Sequence, residues 1–127
     1  MAKIIFDTDI IIDALRYYEP AREFIRNNID NSVISVLTYV EVMRGNRNRG
    51  DEKSATGLMR RLKKIEVSEN IAELAGSFAA KYWRSHRTGS IDSIIAATAQ
   101  IHHLQLATLN KKHFPMLAKL IVPYKKS

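Results

Sequence analysis

Cysteine is absent from the 127 residues. Its absence excludes disulfides and thiolate metal sites together and permits, without requiring, a reducing cytosolic home. Oxygen and imidazole ligands remain. No apolar run approaches the roughly 20 residues of a membrane span, and Met1 to Ile12 lacks the basic start and small-residue cleavage site of a secretory signal. A soluble, cytoplasmic protein is therefore expected, with no membrane partner. Acid is the charge in short supply: 20 Lys and Arg against 13 Asp and Glu leave a net charge of +7 and a pI near 9.8. Such a balance suits a polyanionic partner, either nucleic acid or an anionic surface, and does not choose between them. The length fits one domain over residues 1–127, burying roughly two thirds of the surface it would expose unfolded.

Short β-branched runs alternate with helical patterns. Ile4 to Phe6 and Ser32 to Val36 read as buried strands, with weaker ones at Lys64 to Val67, Gln105 to Ala107 and Leu120 to Val122. From Ser90, "SIDSIIAATAQIHHL" sets Ile91, Ile94, Ile95, Thr98 and Ile101 on one stripe, with Ser90 as N-cap. Asn70 to His86 and the segment opening at Pro20 are also helical in pattern. The polar stretch from Arg44 to Gly57 holds three of the five glycines and reads as an exposed arm between helices. Alternating strands and helices predict an α/β fold of three layers, with a parallel sheet covered on both faces.

Three carboxylates interrupt the opening "KIIFDTDIIIDAL": Asp7, Asp9 and Asp13. Ligands of an open parallel sheet gather beyond the carboxyl ends of its strands, where the winding reverses. Asp7 sits at such an end, Glu41 on the helix after the second strand, and Asp92 in the first turn of the Ser90 helix. With the first strand central, these three converge. Clustered carboxylates raise one another's pKa unless a cation joins them. A hard divalent ion such as Mg2+ or Mn2+ takes oxygen ligands, retains waters and can activate water against a phosphodiester.

The blocks "IIFDTDIIIDAL", "ISVLTYVEVMRG", "GSIDSIIAATAQIHHLQLATLN" and "NKKHF" resemble, in order, those of PIN-domain ribonucleases, in particular VapC-type toxins of toxin–antitoxin pairs. The resemblance spans Ile4 to about Val122. It implies a PIN-like α/β/α fold with a five-stranded parallel sheet, Mg2+- or Mn2+-dependent hydrolysis of RNA, homodimerisation and inhibition by a small antitoxin. By motif, Asp7, Glu41 and Asp92 correspond to metal-binding carboxylates. A fourth acidic position is usual where this chain has Asn110. The Asn110 amide oxygen can still bind a metal or orient water as part of the catalytic set but contributes no charge, so one tightly held ion is expected, with Asp9 supplying compensating charge and Thr8 and Thr108 positioning water. The implied chemistry is attack of water on phosphorus with departure of the 3′ oxygen, leaving a 5′ phosphate.

Competing readings exist for each residue. Asp7 can cap the following helix, Glu41 can pair with Arg44 on a helix surface, and Asp92 can serve the helix dipole alone. Asp13, one turn further on, reads as a helix-surface or structural carboxylate. Of the basic residues, Arg84 and Arg87 flank the expected site and are candidates for RNA phosphates. Tyr82 and Trp83 could stack on bases, although core or dimer packing is the stronger expectation. The histidines lack zinc-ligand spacing, and His113 is placed near the site by its block. A haloacid-dehalogenase-like reading of "DTD" lacks its later acidic motif. The alternative to a nuclease is a catalytically weak PIN-like module that binds RNA or a partner, supported by Asn110.

Overall fold

Five strands, β1 (Ile4–Phe6), β2 (Ser32–Ser35), β3 (Lys64–Ile65), β4 (Gln105–Ala107) and β5 (Leu120–Ile121), form one parallel sheet in the order β3-β2-β1-β4-β5. This computed structural model describes residues 2–126. The chain winds outward from β1 through β2 to β3, then returns to the other side of β1 for β4 and β5. The reversal point therefore lies between β1 and β4. Their register pairs Phe6 with Ala107, so Asp7 and Thr108 leave the sheet side by side.

Six helices cover the sheet: α1 (Thr8–Leu15), α2 (Glu19–Asn28), α3 (Thr38–Arg44), α4 (Arg49–Arg61), α5 (Glu69–His86) and α6 (Ser90–Ile101). Strand alternation sorts them. Ile4, Phe6 and Ile34 face one way and pack with Ile10, Ile11, Ile25, Val42 and Met59 of α1 to α4. Ile5, Val33 and Leu106 face the other way, against Ile95, Ala96 and Ala99 of α6 and Phe114. The three-layer arrangement is the one expected. Each fully buried Ile, Leu or Phe contributes roughly 1.5–3 kcal/mol of apolar burial, and α5 rests on α6 through Ile71, Ala75 and Ala97.

Two local expectations need correction. The arm from Arg44 to Gly57 is largely helical, because Asn48 Oδ1 accepts from the Asp51 N–H at 2.9 Å and caps α4. Asp51 and Glu52 in its first turn and Arg60 and Arg61 in its last both suit the helix dipole. Buried Ala55 and Met59, four residues apart, seat it on the core. The N-cap of α6 is Gly89 rather than Ser90. Asp92 reaches back to accept from the Gly89 N–H at 3.2 Å, which ties a site carboxylate to the helix start.

Candidate metal centre

Asp7 follows β1 directly, and its backbone N–H continues the ladder by donating to Ala107 O at 2.9 Å. Its side chain is 4% exposed. Oδ1 accepts from the Thr8 N–H at 2.8 Å, capping α1, and Oδ2 accepts from the Thr108 hydroxyl at 2.6 Å. Capping and site placement are thus one geometry rather than rivals. Burial above all, then the charges of Asp9 and Asp92, push the Asp7 carboxyl up to about 7 despite those two bonds.

Asp9, in the first turn of α1, points toward the loop after β4. Its Oδ2 accepts from the Leu109 N–H at 3.0 Å and from Asn110 Nδ2 at 3.2 Å. Its Oδ1 is buried without a hydrogen-bond partner among the described residues. Burial raises its pKa, opposed by the Leu109 N–H. Glu41 stands in α3, where its Oε1 accepts from the Thr8 hydroxyl at 2.6 Å. It forms no ion pair with Arg44 among the described residues. Asp92 Oδ2 lies 3.4 Å from His113 Nδ1. Its carboxyl is also raised, chiefly by burial and further by the Glu41 charge, against the Gly89 N–H and His113.

The structure therefore gathers Asp7, Asp9, Glu41 and Asp92 at the carboxyl edge of the sheet. Charge coupling runs from Asp9 to Asp7, Asp7 to Asp92, and Asp92 to Glu41. Among the described residues, however, no three Asp, Glu or His side chains close into a ready ligand set. A divalent cation would relieve the repulsion among these carboxylates. Carboxylate oxygen suits such an ion, with coordination completed by water or phosphate, and the unsatisfied buried Oδ1 beside that set belongs to Asp9.

Thr8 and Thr108 do not hold their hydroxyl hydrogens free for water, because both donate to carboxylates. They orient Glu41 and Asp7 instead. Asn110 turns its amide nitrogen to Asp9, and its N–H donates to Thr108 Oγ1 at 3.0 Å. Arg84 lies exposed in the last turn of α5, and Arg87 lies exposed on the short passage from α5 to α6. Asp13 is buried and structural: it accepts from the Tyr124 hydroxyl at 2.8 Å and Lys126 Nζ at 2.6 Å, holding the C-terminal segment on α1. Trp83 is 58% exposed, so the expectation of core packing fails for it. The fastening of Thr88 to His113 O at 2.8 Å was not anticipated. A buried threonine before a glycine carries no sequence signal of its remote partner.

A model of the PIN domain family matches residues 4–120. Ribonuclease VapC10 of Mycobacterium tuberculosis (strain ATCC 25618 / H37Rv) is 36% identical over 124 residues, covering 95% of this chain and 92% of its own length. Ribonuclease VapC19 of the same organism is 34% identical over 125 residues, covering 94% and 98%. Among solved structures, a toxin–antitoxin complex from Klebsiella pneumoniae matches with a TM-score of 0.82 at 29% identity, over 98% of this chain and 100% of that one. A DNA-bound VapBC from Salmonella typhimurium matches at 0.77 and 24% identity, over 95% and 96%, and speaks to the fold alone.

Proposed function

The chain belongs to the PIN domain family, and on that premise we propose that residues 1–127 form one metal-dependent endoribonuclease domain, the toxin of a toxin–antitoxin pair. The observation that carries this reading is the buried Asp7 carboxyl, pushed up to about 7 where two strands part at the reversal point. Asp7, Glu41 and Asp92 would hold Mg2+ or Mn2+. Such an ion, when bound, neutralises phosphate charge and makes water a competent nucleophile at neutral pH. Thr108 and Thr8 fix the two carboxylates they bond. The Gly89 N–H and His113 fix Asp92. Asn110 keeps Asp9 turned to the β4 loop, so its contribution is orientation rather than charge. Arg84 and Arg87 supply positive charge for the RNA backbone.

The proposed partners are a cognate antitoxin and a second copy of the chain, with the reaction in the cytoplasm. Among the described residues no helix is long and apolar enough to cross a membrane. For the antitoxin, a cavity of about 540 Å3 between α1, α2 and α4 combines Leu15, Ile25, Ile29 and Leu58 with Arg22, Arg26, Lys53 and Arg61. That lining suits an amphipathic acidic segment. The experiment that tests the enzyme is cleavage of a fluorescently quenched RNA with Mn2+ by wild type and Asp7→Asn. Metal-dependent cleavage lost in the variant supports a nuclease. An RNA bound but never cut would establish the non-enzymatic module instead.

A further inference from the structure

The only tryptophan of the chain, Trp83, stands in the last turn of α5 with 58% of its surface exposed. An indole in water forgoes much of the burial its size offers, and its surroundings indicate what covers it. Lys81, Arg84 and Arg87, within four positions of it in sequence, are all exposed, and none of them sits in an ion pair among the described residues, although Lys81 Nζ lies over the Tyr82 ring at 5.3 Å. The acidic residues of α5, Glu69 and Glu73, lie toward its other end. Ten residues of helix put Glu73 about 15 Å from Trp83 along the axis. Charge and aromatic surface are thus concentrated at one end.

That end is linked to the carboxylates through Thr88 and His113. Arg87 takes a left-handed φ of 53° and ends the helix. Thr88 then turns inward, buried, and its hydroxyl donates to His113 O at 2.8 Å. His113 in turn stands 3.4 Å from Asp92. The passage that Arg87 opens after α5 is thus fastened to the acidic edge through Thr88 and His113. We infer that Trp83 is the stacking platform for a base of single-stranded RNA, with Arg84 and Arg87 on the adjoining phosphates. This inference rests on the ribonuclease reading and adds to it where a nucleotide outside the reacting phosphate is gripped. Aromatic stacking tolerates any base, so the platform sets affinity and strand placement rather than base identity.

Because Trp83 is the sole tryptophan, its own fluorescence reports on it. A single-stranded 12-nucleotide RNA is titrated in EDTA, which separates binding from cleavage. Quenching of Trp83 is expected, with Trp83→Ala weakening binding about tenfold by anisotropy of labelled RNA and Trp83→Phe retaining most of it. Arg87→Ala should lower the slope of log affinity against log salt by about 0.7. If RNA binds while the Trp83 signal stays constant and Trp83→Ala binds equally well, the inference is overturned and the nuclease reading stands. If Trp83→Ala instead dissociates a dimer in sedimentation and leaves RNA affinity intact, the indole serves an interface between copies, which also overturns it. Absence of both RNA binding and cleavage in the wild type would count against the ribonuclease reading itself.

Discussion

Replacing Asp7 by asparagine should stabilise the metal-free protein while abolishing cleavage. The carboxyl is pushed from an ordinary 3.8 to about 7, a difference of roughly three pH units or about 4 kcal/mol between its two protonation states. The sign follows from the direction. A raised folded-state pKa leaves stability intact below about pH 4, where folded and unfolded chains are both protonated. Stability is then lost progressively up to about pH 7 and stays reduced above it. Asparagine removes that penalty but weakens the bond from Thr108 at 2.6 Å, which costs about 1–2 kcal/mol. The net gain at pH 8 is about 2–3 kcal/mol, or on the order of 10 °C in Tm for a domain of this size. At pH 4 there should be no gain. The assay is thermal unfolding in EDTA across pH 4–8, repeated with Mn2+, which should raise the Tm of wild type and leave the variant unmoved. An Asp7→Asn protein less stable than wild type at pH 8 in EDTA would mean that the Asp7 carboxylate does not burden the metal-free fold.

Thr108→Val removes a donor to the ionised form of Asp7, so the acid limb of the pH–rate profile should move up by roughly one unit; an unchanged limb argues against that bond. Tyr124→Phe deletes the hydroxyl that donates to buried Asp13 and should lower stability by about 1 kcal/mol in urea unfolding. Phe114→Ala opens a space beneath α6 and should cost about 3–5 kcal/mol by the same measurement. Gly76 lies inside α5 and an added Cβ there meets nothing within 4 Å, so Gly76→Ala should gain about 1 kcal/mol without altering cleavage.

Much of this architecture is legible in the chain because period and position carry it. The alternation of Ile4, Ile5 and Phe6 decides which helices pack on which face, and an aspartate immediately after such a run marks the strand end. The α4 helix escapes the same reading because its glycines and charges mask a cap at Asn48 and an Ala55–Met59 seam that only the folded core makes apolar. At the site, carboxylate positions can be read from motif spacing, whereas their partners cannot. Asp9 and Asn110 are separated by 101 positions, as are Asp7 and Thr108. Nothing local announces that both threonine hydroxyls face acids rather than water. The exposure of Trp83 is similarly a property of where α5 ends relative to α6, not of the residues around it.

Burial first, then the charges of Asp9 and Asp92, raise the Asp7 carboxyl, and a bound divalent cation would reverse that shift. Calorimetric titration of Mn2+ into the protein at pH 7, in buffers of different ionisation enthalpy, counts the protons that binding expels. An Asp7 titrating at about 7 by itself predicts release of about half a proton per ion at pH 7, falling toward zero by pH 9 and reduced in Asp7→Asn. Mn2+ that fails to bind, or that binds with no proton released at any pH, would mean that the raised Asp7 carboxyl is not part of a cation site.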